Sequence, residues 1–302
     1  MAARSDYFKL HFIVFLWGFT AIFGKLVTIP TVEMVFYRAI LAALGMGIVI
    51  LITRGTFHVT GRQLLQLILI GFIVAIHWVC FFGAARVSNV SVSLVGFATN
   101  SLWTAILVPW FNRTGIKKFE LMLGLVVLFG LYIIFSFDFQ YRLGLFLAIM
   151  AGLTSAVFSI FNSRLVRDIP AFTITFYEMI GIFIGLAAFM PFYQMWMAPD
   201  HALHLVPTVT DWFYIAFLAI VCSVYAYSTA VELMKKISVF LIQLSLNLEP
   251  IYGIVMAVIL FGDKEKMGAN FYLGTAIILS AVLLYPIFRK KFESVPEVAD
   301  GH

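Results

Sequence analysis

The sequence predicts an all-α integral membrane protein, with ten transmembrane helices arranged as two inverted five-helix repeats. Three observations predict it. The chain is 63% hydrophobic and 12% charged, with a mean hydropathy of +1.02, whereas soluble domains average about 45–50% apolar and about 25% charged. Apolar runs of about 20 residues, enough to cross a bilayer core of about 30 Å, follow one another along nearly all of its 302 residues. The second half of the chain also repeats the first.

Cuts at proline, glycine and charge clusters delimit the runs in order. The first, 8–28, ends before Pro30, and the second, 31–53, ends at Arg54 and Gly55. The third, 64–85, lies between Arg62 and Arg86, and the fourth, 91–110, stops at Arg113. Lys117 and Lys118 precede the fifth, 119–137, and Arg142 opens the sixth, 142–166. Pro170 introduces the seventh, 172–196, and the polar stretch MAPDHALHLVPTVT separates it from the eighth, 211–234. Lys235 and Lys236 precede the ninth, 239–261, and a charged loop precedes the tenth, 267–288. The first run follows a basic start, but it is a full span long, carries Lys25 and has no A-x-A-like cleavage site, so it reads as a retained helix rather than a signal peptide. The implied division is a first repeat over 1–138, a second over 139–290 and a cytoplasmic tail over 291–302.

Orientation follows from the basic residues. With the N-terminus inside, fourteen fall on the cytoplasmic side (Arg4, Lys9, Arg54, Arg62, Arg113, Lys117, Lys118, Arg164, Arg167, Lys235, Lys236, Arg289, Lys290 and Lys291) and four outside (Arg86, Arg142, Lys264 and Lys266). By the positive-inside rule both termini are cytoplasmic, in a multi-pass protein of the cytoplasmic (inner) membrane. Charges this sparse exclude a clustered basic face for nucleic acid. Cys80 and Cys222 lie in apolar runs with no CxxC and no His at metal spacing, so neither a disulfide framework nor a zinc site is implied. No motif implies a cofactor, and the absence of GxxxxGK[ST] argues against an ATP-driven pump. An intramembrane transferase would need paired acids or a His-Asp cluster at one interface. Asp200, His201, His204 and Asp211 share one outer loop without metal spacing, so an enzyme is not expected.

The repeat is legible in two places. IPTVEMVFYRAI from Ile29 to Ile40 aligns without a gap on IPAFTITFYEMI from Ile169 to Ile180, and Gly45 then falls on Gly185. SVSLVGFATN from Ser91 to Asn100 aligns on SVFLIQLSLN from Ser238 to Asn247, with Phe111 and Gly124 on Phe261 and Gly274. Five helices per half is odd, so the second half enters the membrane in the opposite sense. Such repeats are related by a pseudo-two-fold axis in the membrane plane, the architecture of alternating-access transporters with a midplane site.

The first-span segment LWGFTAIFGK, the Arg in FYRAILA, and NLEPIYGIVMAVILFGD followed by FYLGTAIILSAVLL resemble the EamA family of the drug/metabolite transporter superfamily, over about residues 8–288. The resemblance implies a secondary transporter, an exporter of small metabolites, amino acids and related compounds above all. The alternative is a flippase of a lipid or lipid-linked intermediate. Two departures stand in the first half: TNSLWTAILVPW has no proline matching Pro250, and WFNRTG has no acid matching Asp263.

A charge at bilayer depth is expensive, so each intramembrane ionisable residue is a functional candidate. Arg38 and Glu178 are repeat equivalents, each eight residues past a proline and so about 12 Å deep at 1.5 Å per residue. They are expected to form an ion pair between the halves, or else Arg38 holds a substrate carboxylate in its planar fork. Glu249, beside Pro250, forms with Asn247 and its mate Asn100 a mid-depth polar belt, read either as substrate site or as interhelical glue. His77, in IHWVCFF, and Tyr225 and Tyr227, in CSVYAYST, are wall candidates, with Ser155, Ser159 and Asn162 facing them. Lys25 and Glu33 are expected to pair across the outer turn, and Glu232 with Lys235 or Lys236. Gly181 and Gly185, and Ala39, Ala43 and Gly47, have the small-residue spacing of close helix contacts. The partners implied are the lipid bilayer, a small-molecule substrate, a coupling proton for which Glu249 is the candidate carrier, and a second copy of the chain as a candidate homodimer mate.

Overall fold

A computed structural model describes residues 2–135, 141–262 and 268–293. The chain there is helical. α1 (Arg4–Trp17) and α2 (Thr20–Leu26) make up the first apolar run, and α3 (Thr31–Ile52) starts after Pro30, which has no N–H to leave unpaired. α4 (Gly61–Val87) opens on a capping box, in which Thr60 and Gln63 satisfy each other's backbone N–H groups. α5 (Val90–Phe97), capped by Asn89, and α6 (Asn100–Asn112) share the fourth run. α7 (Lys118–Phe135), α8 (Arg142–Leu165) and α9 (Ala171–Trp196) follow, then a short 3-10 turn at Pro199–His201. α10 (Val209–Phe217), opened by a Thr208–Asp211 capping box, runs through a π-helical stretch, Leu218–Tyr227, into α11 (Ser228–Leu233). α12 (Val239–Leu246), α13 (Glu249–Phe261) and α14 (Ala269–Glu293) complete the bundle.

Eight segments are long and apolar enough to cross a membrane. The other two long helices, α7 and α14, pack along each other, and a Cβ on Gly130 would lie 2.6 Å from the carbonyl oxygen of Gly274. Large apolar side chains such as Ile52, Trp110 and Ile259 are exposed on the outside of the bundle, as lipid-facing surface requires. Asp263, Lys264, Lys266, the boundary between residues 138 and 139 and the tail beyond residue 293 lie outside the described residues.

The apolar runs correspond closely to helices, but three of them break and the eighth turns π-helical over Leu218–Tyr227. The first breaks at Gly18–Phe19 and the ninth at Asn247–Leu248, just before Pro250. The fourth breaks at Ala98–Thr99 with no proline at all. There Thr99 Oγ1 donates to the Gly96 carbonyl at 2.9 Å and Ser101 Oγ to Ala98 at 3.3 Å, and hydroxyls that bond back onto helix carbonyls bend helices. The repeat therefore preserves the break while changing its cause.

Two expected ion pairs, one at each face, come out differently. Glu33 does not pair with Lys25. Its Oε1 accepts from the His204 backbone N–H at 3.2 Å, while Lys25 Nζ sits 5.0 Å from the centre of the Phe261 ring. Glu232 does pair with Lys235, at 2.9 Å.

The small-residue spacing on α9 has a direct use. Gly181 faces Gly71 on α4 so closely that a Cβ on Gly71 would overlap the Glu178 carbonyl oxygen and stand 2.8 Å from the Gly181 Cα. Backbone cannot give way there as a side-chain tip can. Gly71→Ala should cost about 1–3 kcal/mol, the usual penalty for overpacking, seen as a lower thermal midpoint in detergent. Gly61→Ala, with nothing within 4 Å of the added carbon, should leave the midpoint unchanged.

Candidate functional site

The interruptions converge. The α1–α2 junction, the start of α13 and the π-helical stretch all border one cavity of about 70 Å³. Both repeats line it. Trp17, Thr20, Arg38, His77 and Trp78 come from the first half, and Ser159, Tyr227, Gln243 and Glu249 from the second. Broken helices leave backbone carbonyls without helical donors, and side chains take them up. Trp17 Nε1 donates to the Cys222 carbonyl at 3.0 Å, and Thr20 Oγ1 to the Trp17 carbonyl at 2.7 Å.

Arg38 is 2% exposed. Its Nε donates to Ser223 Oγ at 3.0 Å, and Ser223 passes its own hydrogen to the Leu218 carbonyl at 3.1 Å, five residues back along the π-helical stretch. The guanidinium carbon lies 3.7 Å from the centre of the Trp78 ring and 5.5 Å from that of Phe82. Stacking and one hydrogen bond thus hold the fork in place, and Nη1 has no partner among the described residues. The expected ion pair with Glu178 is not made. Glu178 accepts from the Tyr227 hydroxyl at 2.9 Å instead. Ser223 and Trp78 orient the cation, Tyr227 claims the acid, and the repeat equivalents never meet.

Glu249 lies on the cavity wall with one long contact, Thr20 Oγ1 at 3.4 Å. Thr20 has a single hydroxyl hydrogen, and its shorter bond goes to Trp17, so the carboxyl keeps lone pairs available to the cavity. Asn247 and Asn100, fully buried, do not line the cavity with it. Asn247 Nδ2 donates to Ser101 Oγ at 3.1 Å, which ties the second-half break to the first-half one, while both polar atoms of Asn100 lack a partner among the described residues. The belt thus divides into a cavity acid and a pair of amides at the helix breaks.

His77 is a wall residue. Its Nδ1 lies 2.8 Å from the Ala151 carbonyl, which can only accept, so Nδ1 carries the hydrogen. The ring packs among Phe97 and Phe158, with centroids 5.5 and 5.3 Å away. Tyr227 lines the cavity as expected, but Tyr225 does not: it is 45% exposed on the outside of the bundle, edge-on to Phe12. Two positions along a helix are turned roughly half a circle apart, so the two phenols cannot share a wall. Ser155 and Ser159 border the cavity, held by Gln243, whose Nε2 donates to Ser159 Oγ at 2.6 Å. Gln243 was legible as a polar residue inside an apolar run. Trp17, Trp78 and Ser223 carried no signal that separates them from packing residues.

Interrupted helices gathered on a buried, mixed polar and aromatic cavity are the build of a membrane transporter. The chain belongs to the EamA-like transporter family, whose model matches residues 7–136 and 142–285 as two repeats. It is thus a multi-pass membrane protein of the drug/metabolite transporter type. A solved crystal structure superposes with a TM-score of 0.71 over 95% of this chain and 99% of its own, at 14% identity, a likeness of fold alone. No curated protein matches the chain in sequence.

Proposed function

We propose that the protein is a secondary exporter of small amphipathic metabolites, amino acids above all, working by alternating access between two inverted five-helix repeats of ten spans. The observation that carries this reading is the unpartnered guanidinium edge of Arg38, stacked on Trp78 in the same aromatic-walled cavity that holds the Glu249 carboxyl. A planar cation with a free N–H is built to take a carboxylate, and an acid on the same wall suits an ammonium group. Hydrogen bonds tie the chain together on the side read as outer. Arg86 donates to the carbonyls of Ile29, Val27 and Gly24 at 2.6, 2.9 and 3.0 Å, and Asp211 accepts from Thr28 N and Oγ1 at 2.6 and 2.7 Å. The cavity instead reaches Met234 and Ile242, beside the basic pair Lys235 and Lys236.

A thermal-stability screen of the purified protein against a metabolite library tests the reading. A ligand at 100 times its dissociation constant stabilises by about 2.7 kcal/mol, so zwitterionic amino acids should raise the midpoint and uncharged analogues should not. A library in which only lipids shift it would favour the flippase. Orientation is tested separately. A reporter active only in the periplasm, fused after His302, should stay silent, and strong activity there would overturn cytoplasmic termini and the inverted assignment together.

A further inference from the structure

Glu178 is fully buried on α9. Its Oε2 accepts from the Tyr227 hydroxyl at 2.9 Å, and its Oε1 has no partner among the described residues. Asn162, on α8, donates Nδ2 to the same phenol oxygen at 3.0 Å, and its Oδ1 is likewise unpartnered. Two buried acceptors therefore flank Tyr227 with no hydrogen to fill them. An ionised carboxylate here would also be a buried charge without a counter-ion, which is strongly destabilising. On the elements packed against α9, the buried titratable side chains are Glu33 and Arg38 on α3 and His77 on α4, with Tyr227 directly preceding α11; Glu232 on α11 and Asp200 and His201 on the 3-10 turn are exposed. Of these only Tyr227 bonds Glu178. A proton on Glu178 removes the charge.

Tyr227 also forms part of the cavity wall. We propose that Glu178 is a proton-binding site, distinct from Glu249, that exchanges with the cavity through the Tyr227 hydroxyl. A phenol offers one donor and two lone pairs. Its hydrogen is aimed at Oε2, one lone pair takes Asn162, and the other is left for the cavity. In the uptake step the Oη–H bond breaks as an Oε2–H bond forms, and Oη takes a hydrogen from a hydronium ion in the cavity, leaving water. The phenol ends neutral, and one positive charge has moved onto the carboxylate. The use of this proton in coupling rests on the cavity being the transport site; the proton site itself does not.

Infrared difference spectra between acid and alkaline pH, taken on the full chain in lipid nanodiscs without any metabolite, test the inference through the C=O band of the protonated carboxyl. The parent should show a component that vanishes as pH rises. Glu178→Gln should abolish it and Glu249→Gln should retain it. In Tyr227→Phe the same component should move to higher wavenumber, because the carboxyl has lost its hydrogen-bond partner. A Glu178→Gln spectrum identical to the parent's would overturn the proposal, as would a component that ignores pH. Should Glu178→Gln not fold, Tyr227→Phe decides alone: an unmoved spectrum sinks the relay. A blank metabolite screen beside a positive infrared result would overturn the transport reading and leave the proton site standing.

Discussion

Arg38→Ala is expected to give a folded protein that binds carboxylate-bearing metabolites about 10- to 150-fold more weakly, the loss of one charge-assisted hydrogen bond at about 1.5–3 kcal/mol. Arg38 is oriented by Ser223 and Trp78 and paired with no acid. Its removal therefore strands no carboxylate, and the penalty of about 3–5 kcal/mol for breaking a buried ion pair should be absent from the unfolding midpoint. Arg38→Lys should fail to restore binding, since an ammonium neither stacks as a plane nor offers a fork. Calorimetric titration of the variants with the ligands found by the stability screen checks this. Unchanged affinity in a folded Arg38→Ala would remove the residue from the site. A rescue of stability by exchanging Arg38 and Glu178 would restore the ion pair that the geometry denies.

Glu249→Gln keeps the size and most of the hydrogen bonding of the side chain while removing its charge, and its effect is expected to depend on the ligand. Charge-assisted bonds are about twice as strong as neutral ones, and with neutral bonds near 1 kcal/mol the variant should bind ammonium-bearing ligands about 5- to 10-fold more weakly. Ligands with the same carboxylate but no ammonium should bind as before. If both classes weaken equally, the carboxyl supports the α13 start rather than the substrate. If neither weakens, Glu249 only meets Thr20, and the anion end at Arg38 carries recognition by itself.

Much of the candidate site was readable residue by residue. Arg38, Glu178, His77 and Glu249 stand out as charged or titratable groups inside apolar runs, and such residues at bilayer depth persist only where something uses them. Their partners were not readable. Equivalent depth in two repeats placed Arg38 opposite Glu178, yet depth along a helix says nothing about rotation around it. The same limit separates Tyr225 from Tyr227, which share a segment and a chemistry and differ only in the direction they face.

By itself the sequence determined the class. Run length against bilayer thickness set the spans, the charge count implied an orientation, and the alignment of Ile29–Ile40 on Ile169–Ile180 implied a duplicated half. These are one-dimensional quantities, and the bilayer reads them as such. Only the tertiary structure decided which groups face the cavity, that Ser223 and Trp78 hold Arg38, that Tyr227 takes Glu178, and that the fourth run breaks without a proline. In water an apolar stripe marks the inner face of a helix, but lipid is as apolar as a protein core. Helices such as α4 and α9 are apolar all round, so helical periodicity cannot distinguish inside from outside, and packing alone makes the choice.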